Sequence, residues 1–159
     1  MHHHDLALRL IANFGKLLGL EGLTLQGGTH NCALEFDGNV TVTFEYHEPS
    51  GRMLLTAVVA ALPPQGGESL MRELLSANLA EYLQGGLSLG MDSSSRSIVL
   101  VQGRGILELD DSTFETLVEN FVNKAEAWQK HIGSWSAESS SQAQAAEVKP
   151  PSDGAVIFG

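Results

Sequence analysis

The residues best suited to covalent chemistry are His30, Asn31 and Cys32, where a thiol stands two positions from an imidazole. Residues two apart on a strand share a face, which is the spacing a nucleophile and its base would need. Yet Cys32 also falls in step with Leu34 and Phe36, and no Asn or Asp is identifiable to orient the imidazole. A buried structural cysteine is the expectation. His47 and His131 stand alone, and a helix dipole accounts for a histidine at the end of a helix, as at 131. Gly103-Arg104-Gly105 opens no helix and lacks the Lys-Ser/Thr of a phosphate-binding loop. Paired carboxylates can do acid–base work, and Asp110, Asp111, Glu115, Glu119 and Glu126 cluster in one stretch. The three glutamates, however, fall between apolar positions of helical spacing and face outward. The two aspartates sit where a helix N-terminus favours anions. With a single cysteine, no multi-Cys zinc or iron–sulfur site is available. No enzyme, cofactor or metal is expected.

The chain of 159 residues has room for one domain and a tail, with 19 acidic against 9 basic residues and a net charge of −10. That balance argues against binding a nucleic-acid backbone, which needs clustered Lys and Arg. No apolar run approaches the roughly 20 residues of a membrane span. Met1-His2-His3-His4 reads as a shortened purification tag, and the first residues do not form a secretory signal. The expected location is the cytoplasm.

Periodicity supplies the elements. Asp5 can cap a first helix with Leu6, Leu10, Phe14, Leu17 and Leu18 on one side, ending near Gly19, and a second apolar line of Leu8, Ile11 and Leu18 runs round the cylinder. Leu23–Gln26 begins an extended section broken by Gly27-Gly28. Cys32, Leu34 and Phe36 define a strand, Asp37-Gly38-Asn39 a turn with positive φ at Gly38 and Asn39, and Val40, Val42, Phe44 and Tyr46 the next strand. Arg52–Ala61 is apolar on both faces, which suits the centre of a sheet. A second helix runs from near Glu68 to Gly85-Gly86, followed by strands at Leu87–Met91 and Ile98–Val101. Ser112-Thr113-Phe114-Glu115 has the form of a capping box for a last helix that Gly133 stops. Residues 134–159 read as a flexible Ser/Ala/Gln/Pro-rich tail, whose apolar Val156, Ile157 and Phe158 could occupy a groove on this or a neighbouring molecule. The result is an α+β domain over residues 5–133: helix, three strands, helix, two strands, helix, with an antiparallel sheet. The second helix and the strand at Ile98 carry more apolar surface than one small domain covers, so a homodimer is expected. Its face is assigned to Leu74, Leu75, Leu79, Tyr82, Ile98 and Leu100.

The segments LALRLIANFGKLLGLEGLTL, CALEFDGNVTVTFEY, RMLLTAVVAAL, LLSANLAEYLQGGLSLGMD and SIVLVQGRGILELDDSTFETLVENFVNKAEAW resemble class I type III secretion chaperones. These are the small, acidic, Tir-chaperone-like proteins of Gram-negative bacteria. The resemblance implies the same element order, paired as a homodimer with a twisted sheet. It implies a dimer that binds the N-terminal segment of a secreted effector in extended form and keeps it secretion-competent, with an export ATPase stripping the effector away. By the family's layout the first helix and first three strands line the client grooves, which assigns effector binding to Leu8, Ile11, Leu18, Leu23 and Leu25. A protein of the same shape could instead sequester a transcriptional regulator or its antagonist, coupling expression to secretion.

Overall fold

The strictest alternation in the chain, Val40, Val42, Phe44 and Tyr46, becomes the inward face of a strand and is buried at all four positions. A computed structural model, which describes residues 2–147, builds the other elements around it. Helix α1 (His3–Leu17) precedes strands β1 (Asn31–Phe36), β2 (Val40–His47) and β3 (Arg52–Ala61). Helix α2 (Gly67–Gly85) follows, then β4 (Leu87–Asp92), β5 (Ser97–Gly105) and helix α3 (Asp111–Glu147). The sheet is antiparallel throughout, in the order β1-β2-β3-β5-β4, so the strand apolar on both faces is central as expected.

The core lies between one face of this sheet and helices α1 and α3. Met53, Leu55, Ala57 and Val59 point inward from β3, and Ile98 and Leu100 from β5. From the helices come Leu10, Ile11 and Phe14, and Phe114, Phe121 and Val122. Three rings join the layers. Phe14 of α1 lies 5.4 Å from Phe114 of α3 and 6.1 Å from Phe44 of β2, while Phe44 and Phe114 are 6.0 Å apart. Beside them a Cβ on Gly15 would stand 2.7 Å from that of Leu23, so only glycine lets the loop after α1 cross this close.

Helix α2 buries only Leu70 and Leu74 and is held otherwise by polar ties. Asn78 Oδ1 accepts the Leu89 N–H at 2.7 Å, which closes part of the outer edge of β4. Gln102 Nε2 and Arg104 Nη2 both donate to the Gly85 carbonyl, at 2.7 and 3.3 Å, satisfying the end of the helix.

Four local expectations change. Helix α1 begins at His3, with no side-chain cap, rather than behind Asp5. Leu23–Gln26 forms no ladder and contributes one bridge, between Gln26 and Asn31. In the β1–β2 turn, positive φ falls on Asp37 (51°) and Gly38 (65°), because the Asn39 N–H closes back on the Phe36 carbonyl. The reciprocal cap of α3 is two residues earlier than expected: Asp110 Oδ1 accepts the Thr113 N–H while Thr113 Oγ1 accepts the Asp110 N–H, each at 2.8 Å.

Gly133 does not stop α3, which continues to Glu147. Trp135 packs against the core beside Gly66 and offsets the roughly 1 kcal/mol that a helical glycine costs. Met1 and residues 148–159, which include Val156, Ile157 and Phe158, lie outside the described residues.

Two outcomes follow from this packing. Phe114→Ala removes the ring shared by α1 and β2 and should cost about 3–5 kcal/mol in urea unfolding; a cost below about 1 kcal/mol would contradict the packing. The Asp110 carboxyl is held below its ordinary value by the Thr113 N–H and then by the Thr113 hydroxyl. Its folded pKa therefore lies below the unfolded one, so its stabilisation is present above the unfolded value and lost as pH falls through the folded value. Asp110→Ala should lower the thermal midpoint at neutral pH, and the gap to the parent protein should close on acidification. An unchanged gap at low pH would refute the cap.

Candidate functional site

Cys32 is half-buried on the inward side of β1, and burial pushes its thiol up to about 11. Such a group is a poor thiolate at neutral pH. His30 has a φ of 45° and its ring packs 4.4 Å from that of His4, at the start of α1. His131 pairs with Glu73 at 2.5 Å, and Lys124 with Glu81 at 2.9 Å, so both residues tie α3 to α2. Asp110 is occupied as a cap, and Asp111 accepts from Asn13 Nδ2 at 3.0 Å, joining α3 to α1. Glu115 and Glu119 are exposed and Glu126 is half-buried. Among the described residues no group of three or more His, Cys, Asp or Glu is placed to hold a metal ion.

What the fold does build is a trough. Where α1 and α3 meet at Asn13–Asp111 and Phe14–Phe114, their outer sides leave two adjoining hollows. One, of about 360 Å³, is walled by Phe14, Leu17 and Leu18 of α1 and its exit, Phe36 at the end of β1, and Val118 and Val122 of α3. The other, of about 350 Å³, lies between Leu10, Asn13 and Leu17 on one side and Ser112 and Phe114 on the other. Leu17 is 60% exposed and Leu18 44%, which is high for leucines beside a core. Alongside runs the edge of the sheet. Past the Gln26–Asn31 bridge, the outer edge of β1 from Cys32 to Phe36 makes no ladder among the described residues, whereas Asn78 covers part of the β4 edge.

The five residues assigned to effector binding are divided by the structure. Leu18 stands at the trough. Ile11 and Leu25 are buried in the core, and Leu8 and Leu23 are half-buried against it. Leu17 was placed by helical spacing on the buried side with Leu10 and Phe14. The helix ends there, however, and Leu17 projects past the sheet's cover. Its signal in the sequence was the breadth of the apolar face on that helix. Of the six residues assigned to the dimer face, Leu75, Leu79 and Tyr82 are 71%, 64% and 61% exposed. Leu74, Ile98 and Leu100 point into the chain's own core, Ile98 and Leu100 because the even positions of β5 face inward. Leu83, which that assignment left out, is 74% exposed and continues the α2 stripe.

Comparison with known proteins gives this geometry a context. The family model described as the Tir chaperone protein (CesT) family matches residues 9–129. A protein of Chlamydia pneumoniae is 27% identical over 133 residues, covering 79% of this chain and 95% of that protein. Among solved structures, a chain of the ExsC–ExsE complex superposes with a TM-score of 0.72 at 28% identity, covering 82% of this chain and 96% of its own. A chain of the HopA1–SchA chaperone–effector complex gives 0.68 at 18% identity over 82% and 98%. One from the Yersinia pestis type III secretion chaperone SycH in complex with a fragment of YscM2 gives 0.59 at 18% identity over 77% and 98%. At 18% identity these last two likenesses establish the fold alone.

The chemistry of Cys32 can be checked directly. With its thiol raised to about 11, a disulfide reagent at neutral pH should label native protein at least about tenfold more slowly than urea-unfolded protein. Equal rates would return Cys32 to the list of reactive groups.

Proposed function

The chain belongs to the Tir chaperone protein (CesT) family, and from that premise we propose that it is a type III secretion chaperone holding the N-terminal segment of a secreted effector, extended and secretion-competent, on a homodimer. The observation that carries this reading is the apolar trough beside the free edge of β1. An extended segment that pairs with Cys32–Phe36 completes the sheet's hydrogen bonding and turns alternate side chains toward Leu17, Leu18 and Phe36. Of the residues first assigned to effector binding, Leu18 stays in the proposed contact, joined by Leu17. Ile11 and Leu25 support it from the core.

The dimer face proposed here is the α2 stripe of Leu75, Leu79, Tyr82 and Leu83, spaced so that all four share one side of the helix. Each apolar side chain buried in an isologous contact contributes about 1.5–3 kcal/mol, on both copies at once. This stripe is separate from the trough, so a dimer leaves both client sites open. The cytoplasm and an export ATPase as the releasing partner belong to the same reading. Among the described residues no helix is long and apolar enough to cross a membrane. A second reading, in which the captured protein is a transcriptional regulator or its antagonist, uses the same trough, and the ExsC–ExsE complex, at 28% identity, shows a chain of this fold holding a partner protein.

Two experiments test these assignments. Leu79→Asp with Leu83→Asp should convert a dimer into a folded monomer by light scattering; an unchanged mass would remove α2 from the interface. Affinity capture from secreting bacteria, with mass spectrometry of the bound protein, should return an effector bound through its N-terminal segment. Leu17→Asp with Leu18→Asp should lose that partner while remaining a dimer. Retention of the partner by the double variant would exclude the trough, and a captured regulator would select the second reading.

A further inference from the structure

The walls of the trough carry charge of a single sign. Asp111, Glu115 and Glu119 stand one turn apart along α3 and are exposed, and Asp37 is exposed at the end of β1. Among the described residues no Lys or Arg lines either hollow. The ion pairs among the described residues are Arg72–Glu68, Lys124–Glu81 and His131–Glu73, so none of these four carboxylates has a cationic partner. Asp111 has only the neutral Asn13 amide. Like charges four apart on a helix repel, and the N-terminal dipole offsets this only in the first turn, so Glu115 and Glu119 leave a repulsion that a cationic partner would remove.

We propose that the trough selects client segments in which aliphatic residues alternate with lysine or arginine. The inference rests on the trough being the client site and adds the chemistry of the client. Successive carboxylates on α3 are about 6 Å apart along the helix axis. Side chains on one side of an extended chain recur about every 6.6 Å. A strand lying along α3 matches the row: its aliphatic residues enter the hollows, and the basic residues between them, which leave the strand on its other side, bend their long stems back over the rim to the exposed carboxylates. Covering these carboxylates with an apolar or acidic segment would strip their water without compensation, which disfavours such clients.

The test uses three labelled peptides with the same alternating Leu and Val residues and with Lys, Ser or Glu between them, titrated by fluorescence anisotropy into the protein. The Lys peptide should bind about tenfold more tightly than the Ser peptide at low salt, and the Glu peptide more weakly than either. The preference should shrink at about 0.15 M salt. Asp111→Asn with Glu115→Gln and Glu119→Gln should abolish the preference without weakening Ser-peptide binding, since neutral walls lose less when covered. The control Glu48→Gln with Glu68→Gln and Glu108→Gln, which removes the same charge elsewhere, should keep it. Equal loss in both triple variants would assign the preference to net charge and overturn the proposal, as would Ser and Lys peptides binding alike. In that last case client binding at the trough still stands, whereas failure of every peptide to bind would overturn that reading too.

Discussion

The contact on which the rest depends is the meeting of Phe14, Phe44 and Phe114. Each ring comes from a different layer element, and together they fix α1 and the first turns of α3 against the same face of β2. Because α1 ends at Leu17, just past this contact, its last leucines have no sheet beneath them. The trough is therefore the consequence of a short helix packed beside a long one. The same contact sets the carboxylates of α3 at its rim, since Asp111, Glu115 and Glu119 ride on the helix that Phe114 fixes.

Helix α2 is governed by the opposite arrangement. Two buried leucines would hold it weakly, and polar contacts make up the difference: Asn78 to the β4 edge, Gln102 and Arg104 to its last carbonyl, Glu73 and Glu81 to α3. Anchoring a helix through polar groups at its sides and end leaves its leucines free on the outside. A stripe such as Leu75, Leu79, Tyr82 and Leu83 is unusual on a monomeric surface and is the basis for assigning a second copy there. The two exposed apolar surfaces thus have different origins and different assigned occupants.

Much of this was legible in the sequence. The order of elements followed from changes of period, and the central strand from apolar residues on both its faces. The caps were less legible. Asp110-Asp111-Ser112-Thr113 contains several residues able to cap, and only the backbone decides that Asp110 and Thr113 pair. Gly133 failed as a stop because Trp135 packs beyond it, a long-range contact that local sequence does not reveal. Site residues were the hardest to read. Ile11, Leu17 and Leu18 are all apolar residues of one helical segment, and what separates core from trough is where the sheet ends. Leu74 and Leu75 differ in the same way, by one step of rotation on α2.

The central claim is that the client lies extended along β1 and the α1–α3 trough. Hydrogen exchange on the protein, with and without its captured client, addresses it most directly. The account predicts new protection at the amides of Cys32–Phe36 and slower exchange in the first turns of α3, with α2 unchanged between the two samples. Protection confined to α2 or to the β4 edge, with β1 exchanging as in the free protein, would contradict it.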